Sequence, residues 1–156
     1  AGLPLNTDTV AYGLTRVSWP GCFEGIRPGV ILDGAHNPHA AKVLAATWRE
    51  RFPNKKAALV FSAVAAKDIA GILEHLAPLA GKILLCPVDT PRAVPAEELA
   101  AHLPPGSPLH ACFSGFKQAF AALGDDERPV LIAGSLFLVG EARAYFTEGK
   151  FQPSTQ

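Results

Sequence analysis

The chain has 156 residues, 49% of them hydrophobic, which suits one globular domain with a single core. Its 14 basic side chains balance 14 acidic ones, so it lacks the basic surface that binds nucleic acid or an anionic membrane. No apolar run reaches the ~18 residues of a membrane span, and no signal-peptide pattern opens the sequence. We therefore expect a cytoplasmic domain that binds a small ligand or a protein.

The chain contains three cysteines, Cys22, Cys86 and Cys112, and no methionine. The odd number and wide spacing of the cysteines argue against a disulfide framework and against a zinc site, so we expect reduced thiols. Because methionine is absent, we interpret the chain as a piece of a longer protein.

Five short apolar runs predict β-strands, at residues 29–33, 57–62, 82–86, 109–112 and 129–133. None of them alternates apolar with polar residues. That pattern is typical of strands buried on both faces of a parallel sheet.

Helical patterns separate these strands. Two apolar stripes recur at helical spacing. The first comprises Ala40, Val43, Leu44, Thr47 and Trp48, and the second Ile69, Ile72, Leu73 and Leu76. Further helices are predicted after Pro95, over residues 115–123 and over residues 136–146. The alternation predicts a doubly wound α/β fold, in which a mostly parallel sheet carries helices on both faces.

The pattern divides the chain into three parts. We expect an entry linker at residues 1–26, with a short helix near residues 7–14. The α/β domain would occupy residues 27–147, and residues 148–156 would form a tail.

Ligands of open α/β sheets bind beyond the carboxyl ends of the strands, where loops diverge and helix N-termini point their free N–H groups. Asp33-Gly-Ala-His36-Asn37-Pro38 directly follows the first predicted strand. Asp33 could accept hydrogen bonds from sugar hydroxyls, and His36 could contact a phosphate or a carboxylate. Asn37 would cap the next helix and Pro38 would open it. An ordinary turn and cap explain the same residues equally well.

Two further loops place polar groups at the same edge. Lys67 follows the second strand and could grip an anion, although a solvated lysine beside an Asp68 N-cap is the favoured alternative. Ser135 follows Gly134 after the last strand and is either a ligand contact or a helix cap. No base adjoins Cys22, so an inert thiol is expected there. The remaining histidines lack metal-ligand spacing, and no metal site is predicted.

Phosphate-binding loops are absent, since the sequence has neither a Walker A pattern nor Gly-x-Gly-x-x-Gly. Four motifs nevertheless occur in a familiar order. They are Trp-Pro-Gly-x-Phe-Glu at residues 19–24, Asp-Gly-Ala-His-Asn-Pro at 33–38, Ala-Lys-Asp-Ile at 66–69 and Gly-Ser-Leu-Phe-Leu-Val-Gly-Glu at 134–141. Together they resemble the C-terminal domain of the folylpolyglutamate synthase/dihydrofolate synthase family, within the muramyl ligase superfamily. Pro91-Arg92-Ala93 and residues 95–99 also resemble that family.

The resemblance implies an ATP-dependent ligase that attaches L-glutamate to a folate or to dihydropteroate through an acyl phosphate. An N-terminal ATPase domain, absent from this chain, would supply the P-loop and the ligands of Mg²⁺. The isolated C-terminal domain is then expected to be inactive. The balanced charge and the lack of a spanning segment predict no nucleic-acid or membrane partner.

It also implies roles for individual residues. Asp33 would contact the ATP ribose, and Asn37 would shape its turn. His36 would act catalytically, near the phosphates or the incoming glutamate. Lys67 and Ser135 would bind glutamate carboxylates.

Cys22 departs from the family, which has an arginine that reaches ATP at this position. A neutral thiol cannot replace a guanidinium on a phosphate. Two alternatives stay open at this point: another muramyl-type amino acid ligase, and a degenerate nucleotide-binding module without catalysis.

Overall fold

The computed structural model describes residues 20–147. A six-stranded sheet in the order β1-β2-β6-β3-β4-β5 forms its centre. The strands are β1 (Glu24–Arg27), β2 (Val30–Asp33), β3 (Ala57–Phe61), β4 (Ala80–Leu85), β5 (His110–Cys112) and β6 (Val130–Ala133). β1 pairs antiparallel with β2, and the other four pairings are parallel.

Helices cover both faces of this sheet, so the predicted doubly wound α/β fold is confirmed. They are α1 (Pro38–Arg51), α2 (Ile69–Leu76), α3 (Ala96–Ala101), α4 (Phe116–Ala121) and α5 (Leu136–Thr147), with a 3-10 turn at Ala77–Leu79. On one face, Leu44, Trp48 and Ile72 of α1 and α2 pack in one core cluster. On the other, Phe116 and Leu138 of α4 and α5 pack in a second.

The apolar stripe predicted for α2 is confirmed, because Ile69, Ile72, Leu73 and Leu76 are all buried. The stripe predicted for α1 is partly wrong. Val43 is 54% exposed, and the buried positions of this helix are Ala41, Leu44, Ala45 and Trp48. Helical spacing is compatible with burial of Val43 or of the two alanines; in the structure Ala41 and Ala45 face the core and Val43 faces solvent.

The two edges of the sheet differ from expectation. β5 was expected to be buried on both faces, but its three residues are exposed and the preceding Leu109 is 81% exposed. As an edge strand it pairs only with β4. The opposite edge, β1, was not predicted at all. It begins at Glu24, inside the segment interpreted as a linker.

β1 is fastened to the helical layer by aromatic contacts. The Arg27 guanidinium lies 4.9 Å from the Phe120 ring centroid and 4.7 Å from that of Phe146. Both distances are within the range of cation–π attraction. The edge strand is thereby tied to α4 and α5.

The helix predicted near residues 7–14 and the tail predicted at 148–156 lie outside the described residues. Among residues 20–147, no helix combines the length and the apolarity that crossing a bilayer requires.

Candidate functional site

Asp33 ends β2 and is only 9% exposed. Its Oδ1 accepts a hydrogen bond of 2.8 Å from the backbone N–H of Ala35, and its Oδ2 accepts one of 2.8 Å from that of Phe23. Burial raises the pKa of this carboxyl, and the two backbone donors oppose that shift. Each oxygen keeps one lone pair, so Asp33 braces two loops and still has acceptor capacity.

The loop at residues 20–23 lies against the loop at residues 33–36. Besides the bond from Phe23 to Asp33, the Gly34 N–H donates to the Gly21 carbonyl at 2.7 Å. Phe23 has a φ of +44°, a left-handed conformation that is costly for an aromatic residue. Cys22 is exposed between these two anchored residues. Residue 22 is therefore held beside the Asp33–His36 turn.

His36 is oriented by its own turn. Its Nδ1 lies 2.8 Å from the Gly34 carbonyl oxygen. A carbonyl only accepts hydrogen bonds, so Nδ1 is the donor in this contact, which leaves Nε2 as the acceptor nitrogen whenever the ring is neutral. Asn37 then caps α1 as predicted, since its side chain accepts from Ala40 N–H at 2.9 Å and Pro38 occupies the first turn.

The loop after β3 carries Lys67, which is exposed. Asp68 caps α2 by accepting from Gly71 N–H at 2.9 Å, as the alternative interpretation predicted. Ala66, just before the lysine, has a φ of +65°. A methyl side chain in this left-handed region is strained, and such strain is often found at functional loops.

The loop after β6 presents Ser135, which is 2% exposed. Its Oγ accepts from Phe137 N–H at 3.2 Å, and its carbonyl accepts from Val139 N–H at 3.1 Å. Ser135 is thus the cap of α5. Its hydroxyl proton is still available to a ligand.

A cleft of ≈180 Å³ at the carboxyl edge of the sheet brings three of the predicted residues together. It is lined by His36, Val64, Lys67, Arg92, Ser135, Leu136 and Phe137. Basic and hydroxyl groups share the lining of this small space with three apolar side chains. The arrangement suits a small anion with an aliphatic part.

Arg92 was missed as a site residue. It belongs to the Pro-Arg-Ala segment, which sequence analysis noted without assigning it a role. Its Nη2 donates to the Ala65 carbonyl at 3.3 Å, and the Ala65 N–H donates to the Arg92 carbonyl at 2.8 Å. These bonds join the loop after β4 to the loop that carries Lys67.

Glu141 of α5 holds the loop after β4 at a second point. Its Oε1 accepts from the Asp89 N–H at 2.7 Å. Burial raises the pKa of Glu141, the nearby Asp89 charge raises it further, and the bond from Asp89 N–H opposes both. Burial also raises the pKa of the Cys86 thiol to about 12, so that cysteine is an inert core residue.

A larger cleft of ≈380 Å³ lies at the opposite edge, beside the amino ends of β2 and β6. We favour the smaller cleft as the candidate site because it follows the carboxyl ends of the strands and gathers residues from four loops. Within residues 20–147, no group of three or more His, Cys, Asp or Glu side chains is placed to hold a metal ion. The described residues thus offer anchors for an anion and no metal-binding set.

The sequence matches the family described as Mur ligase, glutamate ligase domain, over residues 22–136. It is 32% identical to the dihydrofolate synthase/folylpolyglutamate synthase of Bacillus subtilis over 89% of the chain, and it spans 33% of that protein.

Two solved structures are similar. Escherichia coli FolC in complex with DHPP and ADP gives a TM-score of 0.80 at 29% identity, over 94% of this chain and 36% of that one. A bifunctional folylpolyglutamate synthase/dihydrofolate synthase with Mn, AMPPNP and L-glutamate bound gives 0.76 at 32% identity, over 93% and 36%.

The chain spans about a third of the length of these proteins. The match over residues 22–136 covers well over half of the chain itself and confirms the resemblance inferred from its motifs. The chain belongs to the Mur ligase family and corresponds to its glutamate ligase domain.

Proposed function

We propose that this chain is the C-terminal domain of an ATP-dependent ligase that joins L-glutamate to folate, to dihydropteroate, or to both. The observation that carries the proposal is the convergence of Lys67, Arg92, Ser135 and His36 on one cleft at the carboxyl edge of the sheet. The relatives named as dihydrofolate synthase/folylpolyglutamate synthase support the folate branch of the family.

Glutamate is a dicarboxylate with a short aliphatic chain, and the cleft matches each part of it. Lys67 and Arg92 provide two cations, and the guanidinium can form paired bonds with one carboxylate. Ser135 donates its hydroxyl proton to a carboxylate oxygen. Leu136 and Phe137 contact the methylene groups.

His36 lies beside this cleft with Nε2 free to accept a proton. As the glutamate amine attacks the acyl-phosphate carbon, the C–N bond forms, phosphate leaves, and the nitrogen loses a proton that an imidazole is suited to take near neutral pH. We therefore assign His36 the catalytic role and the contact nearest the reacting groups.

The nucleotide would lie against the loops at residues 20–23 and 33–37. Asp33 accepts from a ribose hydroxyl through a lone pair that its backbone bonds leave free. Asn37 keeps the turn in place by capping α1. Cys22 occupies the position where the family has an ATP-contacting arginine, so this contact is weaker here.

The remaining chemistry belongs to a separate domain in this proposal. That domain would supply the phosphate loop and the ligands of Mg²⁺, which would stabilise charge while the terminal phosphoryl group of ATP passes to the pteroate or folate carboxyl and ADP leaves. The chain by itself orients glutamate and is inactive. The cytoplasmic location is supported by its three free cysteines.

The test is a kinetic comparison in the full-length ligase. Lys67→Met and Arg92→Met should each raise the KM for glutamate by about 10-fold or more, because each removes a charged hydrogen bond to a carboxylate. The KM for ATP should change little. Lys42→Met, an exposed lysine of α1 outside the cleft, is the matched control.

Three results would count against the proposal. If the KM for glutamate is unchanged in both cleft variants, this cleft is not the glutamate site. ATP consumption with a nucleotide-linked muramyl substrate and not with a folate favours another muramyl-type ligase. If the unsubstituted full-length protein shows no ATP-dependent turnover, a degenerate binding module is favoured.

A further inference from the structure

Within residues 20–147 two carboxylate–guanidinium ion pairs form, at opposite edges of the sheet. Arg143 of α5 contacts Glu24 of β1 at the carboxyl edge, and Arg128 contacts Asp126 just before β6 at the amino edge. The arginines are similarly exposed, at 42% and 39%. Both pairs are therefore half-buried, with the guanidinium partly exposed and the carboxylate largely covered.

The Glu24 carboxylate serves two partners. Nη1 of Arg143 donates to both of its oxygens at 2.8 Å. Its Oε2 also accepts the Gly21 N–H at 2.8 Å. Arg143 therefore fixes the rotamer of Glu24, and Glu24 fixes the start of the loop at residues 20–23.

The chain of bonds continues from this loop to the candidate nucleotide site. The Gly21 carbonyl accepts from Gly34 N–H, and the Phe23 N–H donates to Asp33. Val139 of α5 packs beneath Gly21, where an added Cβ would come within 3.3 Å of its Cγ1. A side chain on the C-terminal helix is thus connected through three hydrogen bonds to the Asp33–His36 turn.

We propose that Glu24 and Arg143 are positioning residues for the nucleotide, which act by holding the loop at residues 20–23 against the Asp33–His36 turn. This inference deepens the proposed function and rests on it. Neither residue lines the glutamate cleft. Loss of either should affect ATP binding selectively and leave glutamate binding intact.

The experiment uses the full-length ligase with Glu24→Ala, Arg143→Met and Arg143→Lys, and with Arg128→Met as the matched control. Glu24→Ala should raise the KM for ATP by about 10-fold or more, because misplacing a binding group by about 1 Å can cost up to ~100-fold in activity. The KM for glutamate should stay within about 2-fold. Arg143→Met should have a smaller effect of the same kind, and Arg143→Lys should restore the unsubstituted value because it keeps a cation on Glu24.

A purely structural role predicts that Glu24→Ala and Arg128→Met change the two KM values alike, and that result would overturn the inference. The exchange rates of the Gly21 and Gly34 amide hydrogens give a second readout: both should rise in Glu24→Ala, rise less in Arg143→Met and stay unchanged in Arg128→Met. Absence of ATP-dependent turnover in the unsubstituted protein overturns the proposed function instead. Without turnover, the exchange rates alone test whether Glu24 holds the loop at residues 20–23 against the Asp33–His36 turn. Equal rates in Glu24→Ala and Arg128→Met would then refute that role.

Discussion

Gly134 joins β6 to α5 at the most crowded point of the candidate site. Its φ is +109°, and a Cβ added there would overlap the Ser62 carbonyl oxygen and the Phe61 ring. Phe61 ends β3, which pairs with β6, and Ser62 directly follows it. We predict that Gly134→Ala forces these two strands apart.

The expected cost has two parts. An alanine at this positive φ costs roughly 1–2 kcal/mol, and overpacking against a strand costs ~1–3 kcal/mol more. The free energy of unfolding should therefore fall by about 2–5 kcal/mol. For a chain of this size each kcal/mol lowers Tm by about 2–4 °C.

Two other glycines separate these contributions. Gly106 has a similar φ of +78° with nothing within 4 Å of an added Cβ, so Gly106→Ala carries the strain alone. Gly115 has an extended φ of 174° and nothing within 4 Å of an added Cβ, so Gly115→Ala carries neither the strain nor the overpacking. Because Gly115 is the N-cap of α4, where alanine is the poorer residue, this substitution should cost at most about 1 kcal/mol. Urea titration followed by circular dichroism, with the slope m held constant, measures all three. Equal losses in Gly134→Ala and Gly106→Ala would show that crowding at Ser62 has no energetic effect.

Three further predictions concern the loops. Cys22→Arg in the full-length ligase should tighten ATP binding in calorimetry, since a guanidinium can pair with a phosphate and a thiol cannot; unchanged or weaker affinity would contradict this. Glu141 has a pKa above its ordinary value of 4.5, so the stability that it adds is fully present below pH 4.5 and is lost as the pH rises through its folded-state pKa. The difference in unfolding free energy between the unsubstituted chain and Glu141→Gln should accordingly fall as the pH rises. A difference that grows with pH would show that folding lowers the pKa of Glu141 instead of raising it. Asn37→Ala removes the bond to Ala40 N–H and should cost about 1 kcal/mol, whereas Asn37→Asp, an equally good cap, should be nearly neutral in the same urea titration.

The buried strands could be predicted from the sequence, whereas the edge strand β1, which forms by pairing with β2, could not. β2, β3, β4 and β6 are apolar runs, and burial on both faces requires such runs. β1 spans only four residues, Glu24–Arg27, that alternate in burial, and its strand character comes from antiparallel pairing with β2. The residues of β1 alone therefore give little indication that they form a strand.

The candidate site was predicted in part for a related reason. His36, Lys67 and Ser135 each follow an apolar run, so the rule that ligands bind at the carboxyl edge made them candidates, and the family resemblance assigned their roles. The rule does not give the strand order, which places Ser135 between the other two. Arg92 follows β4 at a distance of several residues, and the bonds of its loop to Ala63 and Ala65 bring it to the cleft.

The position of β6 has a consequence for how this domain is made. β2 and β3 do not pair with each other; each pairs with β6, which is the last strand of the described residues to be synthesised. Until it emerges from the ribosome, β1 and β2 cannot join β3, β4 and β5 in one sheet. Such long-range closure slows folding and leaves apolar edges exposed in the meantime. A nonsense mutation shortly before Val130 would therefore divide the sheet into two unjoined halves, and the shortened product should aggregate or be degraded.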